Sequence, residues 1–443
     1  MSEKINEFFR KHEDSNKIEN ELYTKYSVKK GLRNEDGTGV LIGLTKVSEV
    51  LGYLVEDGKK IDVEGVLYYR GISVEDIVTQ NNGERYLYEK IIFLILFGYL
   101  PDEQEFADFK QIISDGYELP NHYLERNILG FPAQNLMNKL QREILMLYEY
   151  DSDPEAGAPE DILEKGIFIL TKIPSIIVYT YYTKIHYFDN QSLIIHPINK
   201  DYSMAELILS LLRPDGHFSP KEAEVLDSAL VLHADHGGGN NSTFTNVVIS
   251  STGTDIYSTL SGSVGSLKGP RHGGANIAVK KQMETVINDI GIDASDEEIL
   301  EVVRKILDKQ YNDHAGLVYG IGHAVYTLSD PRSKLLSKKC RELSIEKGRL
   351  DEFEFYQRFE TIAVKEIEER KGINICSNVD FYSGLIYDML GIPEDLYTLL
   401  FACARFAGWV AHNIENRMYN GRIIRPATKY VGDFIDIKKK DQS

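Results

Sequence analysis

Four short segments gather His, Asp and Arg beside glycine, and each has a definable chemistry. His233-Ala234-Asp235-His236 runs into three glycines. Two histidines three apart on one helix face are able to hold a metal, although no third ligand stands at a familiar zinc spacing. The alternative is one buried, hydrogen-bonded histidine and one exposed. Gly269-Pro270-Arg271-His272-Gly273-Gly274 puts His272 in a tight turn just before a helix. A helix N-terminus opposes protonation, so a neutral His272 is suited to hydrogen-bonding a carbonyl oxygen that becomes an enolate. The same histidine could cap the helix or pack in the turn. Gly320-Ile321-Gly322-His323 lets backbone approach a ligand closely, but without GxGxxG it is no dinucleotide fingerprint. Arg332, after Asp330-Pro331, either clamps a carboxylate through two parallel hydrogen bonds or pairs with Asp330 in a surface turn. Asp380 stands between Val379 and Phe381-Tyr382, where desolvation strengthens a carboxylate as a base; it could also cap a helix. Arg405 and Arg425 complete the set. Three arginines beside Gly, Pro or aromatic residues point to a di- or tricarboxylate ligand.

The elements that position these groups are mostly helices. Leu396, Leu399, Leu400, Cys403, Phe406, Ala407 and Val410 recur at helical spacing, which predicts an amphipathic helix with Arg405 off its apolar stripe. Met283 to Ile290 and Ile299 to Leu307 repeat the pattern. Gly39 to Gly43 and Gly65 to Tyr69 read as one or two small hairpins, and residues 1 to 35 as a helix or two on the outside. The fold class is therefore mainly α, with short β-hairpins near the N-terminus. Ser261 to Gly274 has five glycines and a proline and reads as a loop and hinge; Gly237 to Asn241 is a second loop. Ile91 to Leu100 and Ile167 to Tyr182 are shorter or more broken than the roughly 18–20 apolar residues of a membrane span, and read as buried helices.

Composition narrows the partners. The chain has 443 residues and a formal net charge of -18, which disfavours nucleic acid and anionic membranes. A small anionic substrate then needs a local arginine cluster. Three widely spaced cysteines without a CxxC argue against a disulfide framework or structural zinc, so a reducing, cytoplasmic location is expected.

Taken together, the segments resemble the citrate synthase family: HADH at 233–236, GPRHGGAN at 269–276, GIGHAVYTLSDPR at 320–332, NVDFYSG at 378–384, ARFAGW at 404–409 and RP at 425–426. YRGI at 69–72 and LFGYLP at 96–101 extend the resemblance more weakly. It implies a large helical domain (1–275 and 386–443) and a smaller one (276–385) that closes over the substrates. It implies Asp380 as the base for an acetyl thioester, His272 as the enol stabiliser, and His323 as the donor to the oxaloacetate carbonyl. His236, Arg332 and Arg405 match oxaloacetate ligands, and Arg425 matches an arginine supplied by the partner of a homodimer. Leu317, Val318, Tyr319, Gly320, Gly322 and Lys334 are candidates for CoA. No metal or bound cofactor is implied, with acetyl-CoA as co-substrate. Where the family often carries Lys or Arg four residues after the GxGH histidine, this chain has Thr327, so phosphate recognition must come from elsewhere, with Lys334 the candidate. The alternatives are a 2-methylcitrate synthase using propionyl-CoA, a non-catalytic carboxylate-binding paralogue, and a metallohydrolase built on His233 and His236.

Overall fold

Serine, asparagine and aspartate set the helix starts. Ser203, Ser219 and Ser295 each accept a backbone N–H three residues on, and a glutamate at that position reaches back to cap them. A computed structural model describes residues 2–11, 17–34, 37–56, 59–81, 83–270, 272–419 and 421–432. The chain divides into two units, Met1–Gly43 with Ile424–Ser443, and Leu44–Ile423. The first unit carries α1 (Ser2–Lys11) and α2 (Asn20–Lys25), as residues 1 to 35 predicted.

The second unit opens with β1 (Ser48–Glu56), β2 (Lys59–Tyr69) and β3 (Ile72–Ser73) in one antiparallel sheet of that order. The β1–β2 register shifts between Leu51 and Tyr53, and Tyr69 pairs with Ile72 across a turn at Arg70 and Gly71. Gly65 to Tyr69 is thus strand. Gly39 to Gly43 is not: Gly39 makes an isolated bridge to Arg33, and Leu41 is 87% exposed, with no sheet face to bury it.

Helices follow in chain order: α3 (Val74–Gln80), α4 (Leu87–Phe97), α5 (Glu103–Asp115), α6 (Leu136–Leu147), α7 (Pro159–Asp189), α8 (Met204–Leu212) and α9 (Pro220–His233). Next come α10 (Asn241–Ser250), α11 (Ile256–Leu267), α12 (Ala275–Ile290), α13 (Asp296–Leu307) and α14 (Pro331–Lys347). The last are α15 (Leu350–Lys371), α16 (Asp380–Met389) and α17 (Tyr397–Met418). α17 is the central rod. It packs on α4, α7, α9, α10 and α11, and every residue from Tyr397 to Asn413 is buried. It is therefore not amphipathic, and Arg405 is buried with it. Each large apolar side chain so enclosed contributes about 1.5–3 kcal/mol. α12 packs on α16, α13 on α15, and α14 on both α15 and α16.

The glycine-rich stretch from Ser261 is helical as far as Leu267, and among its described residues only 268–270 and 272–274 lie outside a helix. The loop reading fails because its glycines serve packing. A Cβ on Gly262 would run into Ile249 of α10, and one on Gly265 into Gln141 of α6. Small residues let helices approach closely, and the tertiary gain outweighs glycine's poor helix propensity. Ile91 to Leu96 is buried helix in α4 and most of Ile167 to Tyr182 is buried helix in α7, whereas Phe97, Tyr99 and Leu100 are exposed and the helix ends at Phe97; Lys172 of α7 turns its ammonium to the Gly116 carbonyl. Among the described residues, no helix is long and apolar enough to cross a membrane. Cys340, Cys376 and Cys403 are buried and unpaired.

Candidate active site

Two crossing segments bring His323 and Asp380 together. Asn378 N–H donates to the Gly320 carbonyl at 2.8 Å, Gly322 N–H to Cys376 at 2.8 Å, and Ile321 bridges Ser377. Gly320 has φ +79°, and a Cβ there would lie 2.8 Å from both Phe381 and Val279, so only glycine fits. The Asn378 side chain donates to Gly322 O (2.8 Å) and accepts from Asp380 N–H (3.0 Å). Asn378 therefore caps α16, and Asp380 is its first residue rather than its cap. That leaves the Asp380 carboxylate available. Burial is the main influence on it and pushes its pKa up to about 6, with Arg332 and Arg405 opposing. Relative to an ordinary carboxylate this is about a hundredfold stronger base that is still ionised at neutral pH.

His323 Nδ1 accepts the backbone N–H groups of Val325 and Tyr326, each at 3.1 Å. In the neutral ring this assigns the proton to Nε2, making that atom the donor. The ring stacks on Tyr326 at 4.7 Å and meets the edge of His236 at 5.1 Å. His236 is also buried, so the expected exposed histidine of the HADH pair does not exist. Its Nε2 is buried without a partner. His233 is the structural member: Nδ1 contacts the Ala229 carbonyl at 2.6 Å and the ring packs against Phe401. Among the described residues, no group of three or more His, Cys, Asp or Glu is arranged to hold a metal.

His272 lies in the turn before α12, tied to α17 by Thr398, whose hydroxyl donates to the Gly273 carbonyl. Its Nε2 is 3.1 Å from the Ser242 hydroxyl, which also accepts from Trp409 Nε1 at 3.3 Å. Burial, aided by Arg405, lowers its pKa to about 4. His236 is held well below its ordinary pKa by burial, Arg332, His323 and Arg405. Both rings are neutral donors at physiological pH.

The two arginines differ. Arg332 forks onto Asp330 through Nε (3.0 Å) and Nη2 (2.7 Å). The pair is at most 3% exposed, which overturns the surface-turn reading. Arg405 donates from Nε to the His233 carbonyl at 2.7 Å, while its Nη2 is buried without a partner. Burial lowers its pKa to about 10, yet it stays cationic. Arg405 Nη2 and His236 Nε2 are thus two buried nitrogens able to donate to an anionic acceptor. Arg425 belongs to the terminal unit and is exposed there.

A cavity of about 590 Å³ reaches His323 and is lined also by Lys60, Asp62, Thr327, Glu368 and Ile375. Of the CoA candidates, Leu317 is exposed, Val318 is buried, and Leu317 O and Tyr319 N–H are both fastened to Gln282 of α12. Gly320 and Gly322 form the ladder described above. Lys334 is 2.9 Å from Glu64 of β2. The sequence reading missed Ser242, Tyr326 and His412. His412 lies seven residues after Arg405, on the same helix face, and that spacing was the available signal.

The ensemble is that of a helical enzyme of the condensing class, with a basic carboxylate, neutral histidine donors and buried guanidinium groups. The family model described as citrate synthase, C-terminal domain, matches residues 36–427. Citrate synthase 2 of Bacillus subtilis is 33% identical over 85% of this chain and 94% of its own length. 2-Methylcitrate synthase 2 of Corynebacterium glutamicum is 31% identical over 93% of this chain and 96% of its own. The ternary complex of carboxymethyl coenzyme A and oxaloacetate with citrate synthase from Thermoplasma acidophilum superposes with a TM-score of 0.74 at 26% identity, covering 93% of this chain and 99% of the other. The chain belongs to the citrate synthase family, whose members are acyl-transferring enzymes.

Proposed function

We propose that the chain condenses acetyl-CoA with oxaloacetate and hydrolyses the resulting citryl-CoA. The observation that carries this reading is the pairing of a basic Asp380 with unpartnered His236 Nε2 and Arg405 Nη2 in one buried site. Asp380 takes a methyl proton from the thioester while His272 donates a hydrogen bond to the thioester oxygen, giving a hydrogen-bonded enolate. The enolate carbon attacks the oxaloacetate ketone, and His323 Nε2–H passes its proton to the ketone oxygen as the carbon–carbon bond forms. Water then cleaves the thioester to citrate and CoA. A thioester α-proton is weakly acidic, so base and donor must act in concert. His236, Arg332 and Arg405 hold the oxaloacetate carboxylates.

The acyl-CoA chain lies, on this reading, in the cavity that reaches His323, with Lys60 on its wall as the cation that Thr327 does not supply. Lys334 is less suited to that task, since Glu64 engages it at 2.9 Å, closer than the 3.7 Å between Lys60 and Asp62. The protein works as a homodimer, with Arg425 completing the partner's site, and as a small domain (276–385) closing on a large one to exclude water. It needs no metal or bound cofactor, and its three buried thiols suit a cytoplasmic location. Paired kcat/KM values for acetyl-CoA and propionyl-CoA test the substrate. One methylene is worth about 1–3 kcal/mol in an apolar pocket, and acetyl-CoA is expected to lead. A higher value for propionyl-CoA would make the chain a 2-methylcitrate synthase.

A further inference from the structure

His412 is a buried ionisable group that the reaction above leaves idle. It is 2% exposed, and its Nε2 lies 3.2 Å from Asp235 Oδ2. On its other side, Nδ1 is 3.7 Å from Glu415 Oε2. Asp235 is wholly buried and collects the Ser48 hydroxyl and the Gly237 N–H (3.0 Å) on the same oxygen. Glu415 in turn accepts the Lys46 N–H at 2.6 Å.

This network underlies the peptide that carries His236. Arg405, Gly408 and His412 stand at i, i+3 and i+7 of α17, one face of the helix. Arg405 Nε holds the carbonyl of His233, Gly408 N–H that of Ala234 at 3.2 Å, and His412 the side chain of Asp235. Gly408 leaves no space between: a Cβ there would lie 2.7 Å from Ala234 O. From the opposite side, Tyr69 of β2 donates its hydroxyl to the Asp235 carbonyl at 3.2 Å. The next residue is His236, with Nε2 unpartnered beside His323.

We infer that His412 is a positioning residue: as an imidazolium ion-paired with Asp235 it fixes the 233–237 peptide and so aims His236 at the substrate. The inference deepens the proposed function and rests on it for oxaloacetate as the ligand. Burial disfavours the imidazolium, but Asp235 and Glu415 outweigh it and raise the His412 pKa to about 9. For Asp235, burial is again outweighed, by His412 and then Arg405 and Ser48, and its carboxyl is held well below the usual range. The pair is therefore intact across neutral pH and is lost as pH rises through about 9. The other ionisable groups near the pair are Tyr69, whose pKa is raised mainly by burial, and Arg70 and Arg405, which remain cations.

The test compares wild type with His412→Gln in KM for oxaloacetate, KM for acetyl-CoA and kcat, and follows calorimetric oxaloacetate binding from pH 7 to 10. Gln keeps a donor and loses the charge. The expected result is a rise of roughly tenfold in oxaloacetate KM with acetyl-CoA KM little changed. Wild-type oxaloacetate affinity should begin to fall at about pH 9, and in the variant the fall should be delayed to about pH 10, where Arg405 loses its charge. An alkaline limb that still begins at about pH 9 in His412→Gln, or an equal loss in both KM values, overturns the inference. Should the variant not fold, a wild-type oxaloacetate affinity that is flat through pH 9 overturns it by itself. Failure of the proposed function reads differently, as wild type that neither binds oxaloacetate nor releases CoA.

Discussion

Asp380 is a better base because its surroundings withhold water from its charge, and the same withholding makes it a liability to the fold. Its pKa of about 6 lies above its ordinary value, so the native state binds the proton more tightly than the unfolded chain. Keeping it ionised at pH 7.5 therefore costs stability, and that cost fades as pH falls through 6. Asp380→Asn is expected to raise Tm by a few degrees, about 1–3 kcal/mol, at pH 7.5, to add about half as much at pH 5 and to add little below about pH 4; a lower Tm at pH 7.5 would contradict the burial account. For wild type, kcat/KM should drop about tenfold per pH unit below about 6, where the base of the free protein is protonated. A kcat/KM flat to pH 5 would remove Asp380 as the titrating base. The residue types at this scale were legible in the sequence, since apolar neighbours on both sides of Asp380 already implied desolvation. Its partners were not: that Asn378 caps α16 and that Arg332 forks onto Asp330 depends on how two distant loops cross.

The β1–β2 hairpin holds those loops. Gly65 of β2 donates its N–H to Ser329, Glu64 accepts from Ser329 and Lys334, and Asp62 accepts from Asn374. One strand thus grips the segment between His323 and Arg332 and the segment leading to Asp380. Gly52 and Gly65 lie against Val325, Tyr326 and Ser329 with no space for a side chain; a Cβ on Gly52 would be 2.6 Å from Val325 O. Gly65→Ala is expected to cost about 1–3 kcal/mol and to raise oxaloacetate KM more than acetyl-CoA KM; unchanged thermal melting and kinetics would show that the hairpin does not hold the loop. Local pattern revealed the helices because 3.6-residue periodicity survives in α12 and α13. It missed the helix of α11, and it found α17 but took it for amphipathic, for one reason. Both are buried on several sides, so glycine, serine and arginine fall where an exposed helix would show a polar face.

Across the whole molecule, a net charge of -18 surrounds a site built around Arg332 and Arg405. The proposed substrates are anions that must enter against the overall field, so the local cations set affinity. Burial, aided by these cations, keeps His236 and His272 neutral. If Arg425 completes a partner's site, Arg425→Ala and Arg405→Ala homodimers should each be weak, and their heterodimer should recover part of wild-type kcat/KM at one of its two sites. No recovery in verified heterodimers would confine each site to one chain. The most direct measurement is CoA thiol release from acetyl-CoA in the presence of oxaloacetate, run beside oxaloacetate calorimetry for wild type and Asp380→Asn. The account predicts rapid release by wild type that requires oxaloacetate, and an Asp380→Asn variant that binds oxaloacetate within a fewfold of wild type but releases CoA at least about a hundredfold more slowly. Near-normal release by Asp380→Asn would contradict it.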